Sequence, residues 1–227
     1  MPPYGNSRKA SGVTLPSLVA QLRASCQASA RLHGGSTYYT EELAIFRAYA
    51  QEHNLILEQA PAELATAPTA EGNEHQVWFR ENSSTFLKAT WPDHFGMKVV
   101  HRADEEPAAS PIDYLERWHL HNTLFGDAVE FLGALDTPDG MRLLIQQPAI
   151  RGSIANEEQI STYFTSSGWK PFRIAGNLAF FDPERKIVVS DTHRGNIIVM
   201  PDGLLAPIDL RVQPLTDTLL SIVKNLI

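Results

Sequence analysis

Asp191, Asn196 and Asp209 are the residues of this 227-residue chain whose types and spacing could do chemistry. Asn196 lies five residues after Asp191, and Asp209 lies thirteen after Asn196 (209 − 196). Two carboxylates and an amide carbonyl are hard oxygen donors, suited to a divalent cation that keeps several of its waters. A carboxylate can also take a proton from a hydroxyl. The surrounding pattern predicts how the three are held. Residues 187–189 form a β-branched run that predicts a strand, and 190–196 are polar with a glycine, which predicts a loop. Residues 197–200 and 204–208 are apolar runs split by Pro201-Asp202-Gly203, a hairpin signal. Taken singly, Asp191 and Asn196 could simply stabilise a loop and Asp209 end a strand. Three such residues at this spacing, on these elements, favour a functional set.

The run Ser-Asp191-Thr-His-Arg-Gly-Asn196, followed by Ile-Asp209-Leu, resembles the catalytic loop and metal-binding strand end of the protein-kinase-like superfamily. Its pattern in protein kinases is H-R-D-L-x-x-x-N followed by D-F-G. The form Asp-x-His-x-x-Asn-Ile is closer to aminoglycoside and choline phosphotransferases. The chain as a whole resembles the kinase domain found in large polyvalent proteins of phages and mobile elements. The resemblance implies an ATP- and Mg²⁺-dependent phosphotransferase acting on a hydroxyl of a protein Ser, Thr or Tyr or of a small molecule. Asp191 would then orient the acceptor hydroxyl and take its proton, and Asn196 and Asp209 would hold Mg²⁺. On this reading Asp209→Asn weakens metal-dependent nucleotide binding and leaves the metal-free protein about as stable as before.

The same resemblance assigns the upstream elements. Residues 76–80 and 85–90 alternate around Glu81-Asn82-Ser83-Ser84, which predicts a hairpin. Lys88 stands where the family's nucleotide lysine stands. Aligning Val77 with the valine that ends the family's Gly-rich pattern puts Ala70, Gly72 and His75 at its three glycines, so only Gly72 is kept. Phe86 replaces a small residue and shares the face of Lys88, where it would crowd an adenine or stack on it. Ser110-Pro111-Ile112-Asp113 predicts a helix start, with Ser110 as N-cap and Asp113 completing a capping box. That helix should run to residue 124 or 125. Glu116 is the candidate partner for the lysine, with Asp113 as its rival. Residues 129–135 and 141–147 predict another hairpin, and Gln146, Gln147 and Ala149 fall at the expected hinge, where backbone groups would meet adenine.

Two helices should precede these strands. Leu15, Leu18, Val19, Leu22 and Cys26 recur at helical spacing over 15–32, with His33-Gly34-Gly35-Ser36 as the stop. A second helix is expected over 41–53, capped by Thr40. They would either support the kinase-like part or dock a neighbouring domain or partner protein. Residues 1–13 are rich in Pro, Gly and Ser and should fray. The implied organisation is a helical extension over 14–69, an N-lobe over 70–149 and a C-lobe over 150–227. Eighteen residues follow Asp209 (227 − 209), and 215–227 can supply one short helix. The expected fold is therefore α+β and bilobal, with a sheet-rich N-lobe and a minimal C-lobe.

Composition narrows the partners. The net charge of −7 argues against nucleic acid. A single cysteine excludes an intramolecular disulfide framework and fits a reducing compartment. No leader or membrane-spanning run is read, so a cytoplasmic, membrane-free chain is expected. The eight histidines include no pair with convincing zinc spacing. A second reading is a pseudokinase-like module that binds nucleotide or protein without catalysis. The thinned glycine pattern, Phe86 and the short end of the chain favour it, whereas the retention of Asp191, Asn196 and Asp209 together opposes it. A metal-dependent hydrolase using the same carboxylates lacks a histidine ligand set.

Overall fold

The computed structural model describes residues 13–33 and 38–227. The expectations for residues 1–12 and for the helix stop at 34–36 lie outside them. Helices and antiparallel sheets combine in an α+β fold, and the chain divides into two compact units. The first holds the described residues up to Gly96, with Ala108–Leu115 and Ala128–Pro148. The second holds Met97–Pro107, Glu116–Asp127 and Ala149–Ile227.

In the first unit, period-two alternation gives a five-stranded sheet. Its strands are β1 (Ala70–Glu71), β2 (His75–Arg80), β3 (Thr85–Thr90), β4 (Glu130–Thr137) and β5 (Gly140–Pro148), in the order β1-β2-β3-β5-β4. All neighbours are antiparallel. Trp78, Leu87, Ala89, Leu135 and Leu144 bury one face, with Leu57, Leu64 and Leu132 against them. Because side chains alternate, Phe86 and Lys88 point to the opposite face. Helix α1 (Leu15–His33) and helix α2 (Tyr39–Glu52) bury Leu18, Leu22, Cys26 and Phe46.

Charge ties these helices to the start of α3 (Pro111–Phe125). Arg23 Nη2 donates to Asp113 Oδ1 at 2.7 Å, and Ser110 Oγ donates to Glu42. Within α3's own cap, Asp113 N donates to Ser110 Oγ at 3.1 Å while Ser110 N donates to Asp113 Oδ2 at 3.1 Å, the reciprocal pattern expected of Ser-x-x-Asp. Helix α2 starts earlier than Thr40 predicts. Its N-cap is Tyr38, which makes no side-chain cap bond. A tertiary anchor replaces the cap: Tyr39 Oη donates to the Asp93 carbonyl at 2.6 Å, and its ring packs 6.4 Å from Phe95.

The second unit is built on β7 (Lys170–Ile174), β8 (Asn177–Asp182), β9 (Ile187–Ser190) and β12 (Arg211–Pro214), in the order β12-β9-β8-β7. A smaller sheet joins β6 (Ser153–Ile154), β10 (Ile197–Val199) and β11 (Leu205–Pro207), in the order β11-β10-β6. Helix α4 (Glu157–Ser166) starts with an Asn156–Gln159 capping box, and α5 (Asp217–Lys224) is capped by Thr216. Phe164, Phe180, Val189, Ile197 and Leu210 share one core cluster, so the strands on either side of Asp191 and Asp209 rest on the same apolar base. Strands β7 and β12 are not legible in the sequence. Each contains a proline, Pro171 or Pro214, which reads as a strand breaker but is tolerated at a sheet edge, where both strands lie.

The β8–β9 turn leads directly to Asp191, and Asp182 fixes it. Asp182 Oδ1 accepts from Glu184 N and Arg185 N, both at 2.9 Å, and its other oxygen pairs with Arg185. Burial raises the pKa of this carboxyl, but bonds from the Arg185 backbone and side chain outweigh it, so the net shift is below the ordinary value. A depressed folded-state pKa gives stability that is present above the unfolded pKa and is lost as pH falls through the folded one. Asp182→Asn should therefore be less stable than the wild type above about pH 5, with the gap closing in acid. Urea unfolding at several pH values checks this; a gap independent of pH would contradict it.

Candidate functional site

Asp191 leaves β9 with φ = +62°. This left-handed conformation costs a residue with a Cβ roughly 1 kcal/mol or more and persists only where neighbours fix it. Three contacts in the second unit do so. Arg211 pairs with Ser190 at the last rung of β12–β9. Thr192 Oγ1 donates to the Leu178 carbonyl at 2.8 Å. Asn196 Nδ2 donates to the Asp191 carbonyl at 2.9 Å.

Asn196 ends a short 3₁₀ turn, Arg194–Asn196, and holds two segments at once. Its Nδ2 also donates to the Asp209 carbonyl at 3.0 Å, and its own carbonyl accepts from Ile208 N at 2.9 Å. Two carbonyl acceptors require the amide nitrogen on that side, which fixes the orientation of the group and turns Oδ1 away from both. Asn196 can therefore offer an oxygen to a cation while its nitrogen braces the loop against the hairpin.

Asp209 lies between β11 and β12. Its Oδ1 accepts from Arg117 Nη2 at 2.7 Å, and Arg117 Nε donates to the Leu210 carbonyl at 2.8 Å. The Arg117 side chain is 8% exposed and that of Asp209 32%. The guanidinium carbon sits 4.9 Å from the Trp118 ring centroid. Sequence reasoning missed Arg117, although Tyr114, Arg117 and His121 recur at helical spacing and all three are buried. A basic residue in a buried helical row is the signal that could have found it.

An imidazole and a guanidinium flank the Asp191 carboxylate. His193 Nε2 lies 3.6 Å from Oδ1 and Arg211 Nε 3.8 Å from Oδ2. Gly195 N donates to His193 Nδ1 at 3.1 Å, so a neutral His193 carries its proton on Nε2, facing Asp191. Neither residue was singled out from sequence.

The upstream candidates lie mostly in the first unit. Lys88 is 7% exposed, with Val77 opposite it on β2 and Ile145 opposite on β5. On the same face the Phe86 ring lies 5.2 Å from Phe79, and Gln147, opposite Phe86, is buried. Gln146 points the other way and accepts from Arg80 Nη1 at 2.9 Å. Gly72 forms the β1–β2 turn; its N–H donates to the His75 carbonyl at 2.9 Å, and a Cβ there would meet nothing within 4 Å. His75, at the third glycine position, is buried with Nε2 2.8 Å from Tyr114 Oη. The first unit ends at Pro148, so Ala149 opens a segment of the second; Glu116, half-buried on α3, also falls in the second.

Among the described residues, no three His, Cys, Asp or Glu side chains gather as a metal cage. Mg²⁺ uses one or two protein carboxylates together with water and phosphate oxygens, so Asn196 Oδ1 and the Asp209 carboxylate fit it as a donor pair. Asp209 already has one cation in direct contact, the Arg117 guanidinium.

That pair also corrects the stability expectation for Asp209. Removing one partner of a buried ion pair strands the other charge. Asp209→Asn should lower the unfolding free energy of the metal-free protein by roughly 1–3 kcal/mol, below the range for fully buried pairs because the carboxylate is partly exposed. With Arg117→Met, a double-mutant cycle should give a coupling of at least about 0.5 kcal/mol. Unfolding midpoints equal to the wild type, or strictly additive losses, would contradict this.

Comparison with known proteins gives one family. The family model described as "Serine/Threonine/Tyrosine Kinase found in polyvalent proteins" matches residues 39–213, from the start of α2 into β12. No curated protein and no solved structure matches the chain. Among the described residues no helix is long and apolar enough to cross a membrane. With the match covering both units, and with Asp191, Asn196 and Asp209 inside it, the chain belongs to the kinase family of polyvalent proteins.

Proposed function

We propose that the protein is a phosphotransferase that uses Mg²⁺ and ATP to phosphorylate a hydroxyl acceptor. The observation that supports this reading is the pair of hydrogen bonds from Asn196 Nδ2 to the Asp191 and Asp209 backbone carbonyls. They tie together the backbone of the three residues assigned as proton acceptor and metal donors, and a phosphoryl-transfer site needs positioning more than covalent chemistry. The two compact units are then the N-lobe and the C-lobe of a bilobal kinase-like fold.

Each residue has a role in this reading. Asp191, held by its left-handed backbone, orients the acceptor hydroxyl and takes its proton. His193 and Arg211, 3.6 and 3.8 Å from its oxygens, steady that carboxylate. Asn196 Oδ1 and Asp209 hold the metal, whose charge offsets that of the phosphate oxygens when nucleotide is bound. Lys88 reaches the phosphates as a point cation, and the Gly72-Asn73-Glu74 turn lies on their flank. Glu116 is the acid assigned to orient Lys88. The backbone around Gln146, Gln147 and Ala149 meets the base, and Phe86 offers it a ring face.

A non-catalytic nucleotide-binding module is the second reading. Two observations favour it: the Gly72 amide is already bonded within its turn, and the Phe79–Phe86 ring pair occupies the face that carries Lys88.

One set of measurements separates the two. Lys88→Ala should weaken ATP at least about tenfold while adenosine is little changed, because a lost phosphate contact leaves base binding intact. Asp191→Ala should cut phosphoryl transfer by roughly 10²–10⁴ and leave Mg·ATP affinity within about a factor of three. Wild-type protein that binds Mg·ATP but transfers phosphate to neither protein nor small alcohols would support the module. Failure to bind nucleotide with or without Mg²⁺ would sink both.

A further inference from the structure

Arg117 sits on one oxygen of the carboxylate that the metal reading assigns to a cation. Its Nη2 lies 2.7 Å from Asp209 Oδ1, while its Nε is fixed on the Leu210 carbonyl at 2.8 Å. Two donors of one planar group thus clamp one residue's side chain and the next residue's backbone. The guanidinium is almost fully buried and packs over Trp118, and it does not lose its proton at any ordinary pH. It cannot step aside as a surface lysine would. A divalent cation arriving alone at the partly exposed Asp209 meets a fixed positive charge a few ångströms away, on a guanidinium that is itself almost fully buried. A divalent cation arriving with phosphate oxygens brings its own negative charge and meets far less opposition.

We propose that Arg117 is a positioning residue acting through Asp209: it holds and neutralises that carboxylate in the metal-free chain, so that the site discriminates against free divalent cations and accepts them with a phosphate ligand. This rests on the reading of Asn196 and Asp209 as the metal donors. It goes beyond that reading by giving a helix residue, outside the catalytic loop and the hairpin, control over what form of the metal binds. The charge also accounts for the local design. A carboxylate left alone at this position would bind stray cations or lose its orientation, whereas the Arg117 clamp keeps it aligned with Asn196, whose amide holds the Asp209 carbonyl from the other side.

The test uses the full chain and Mn²⁺ as the probe, alone and as Mn·ATP, with wild type, Arg117→Gln, Arg117→Lys and Asp209→Asn. Affinity is read by electron paramagnetic resonance of free Mn²⁺ and by calorimetry, after circular dichroism has shown each variant folded. Arg117→Gln keeps a hydrogen-bond donor but removes the charge. It should tighten free Mn²⁺ by about tenfold or more, and Mn·ATP by clearly less. Arg117→Lys keeps the charge and should stay within about a factor of three of the wild type for free Mn²⁺. A merely structural role for Arg117 would loosen the site and weaken both probes. The proposal is overturned if Arg117→Gln leaves free Mn²⁺ affinity unchanged or lower, if it tightens both probes equally, or if Arg117→Lys tightens free Mn²⁺ as much as Arg117→Gln does. Should Arg117→Gln misfold, Arg117→Met paired with the same probes carries the identical expectation. Wild-type binding of Mn·ATP that Asp209→Asn abolishes keeps the metal reading intact even where Arg117 has no effect; no Mn²⁺ binding in any form by wild type or variants removes both.

Discussion

The second unit depends on one amide group. Asn196 Nδ2 donates to two carbonyls that are far apart in the chain, those of Asp191 and Asp209. Each bond alone contributes about 1 kcal/mol to stability, but together they remove the relative freedom of a strained loop and a hairpin end. The left-handed φ of Asp191 is held within this frame. An aspartate could not take this place, because an ionised carboxylate has no proton to donate to either carbonyl. The amide nitrogen thus supplies the brace, and the proposed metal role would use the oxygen that the brace leaves turned away.

Charge balance is the second constraint. The carboxylate of Asp191 lies beside Arg211 and the His193 ring and that of Asp209 beside Arg117, so negative charge in the loop and hairpin is met by two nearby guanidinium groups. The arrangement differs at the two acids. Around Asp191 the His193 and Arg211 nitrogens stand off at 3.6 and 3.8 Å, beyond direct hydrogen bonds, and the carboxylate stays partly exposed. At Asp209 the guanidinium is in direct contact. The proposed roles would suit this difference: an acceptor-orienting carboxylate gains from being steadied but not occupied, whereas a metal-binding one can be held by a cation until a metal comes.

What could be read from sequence follows from what is local. The hairpin 76–90, the Ser110–Asp113 capping box and the stop of α3 before Gly126 each depend on a few adjacent residues, and each was legible. So was the loop–hairpin pattern around Asp191 and Asp209. What depended on distant partners was hidden. Thr40 looks like an N-cap, but Tyr39's bond to the Asp93 carbonyl decides where α2 starts. Pro171 and Pro214 read as breakers, but a sheet edge accommodates them. Arg117 looks like one more helix cation, and its meaning appears only when Asp209, ninety-two residues later, is placed against it. The roles of the site residues belong to this same non-local class: spacing suggested the set, and the Asn196 brace supplies its physical reason.

Paramagnetic broadening tests most directly the proposal that Asn196 and Asp209 hold the metal of a bound nucleotide. Substoichiometric Mn²⁺ would be added to ¹⁵N-labelled protein saturated with ATP, with Mg²⁺ as the diamagnetic reference. The expected result is selective loss of the Asn196 side-chain amide signal together with the backbone amides of Asp209 and Leu210. Broadening centred elsewhere in the chain, or none at nucleotide saturation, would contradict the account.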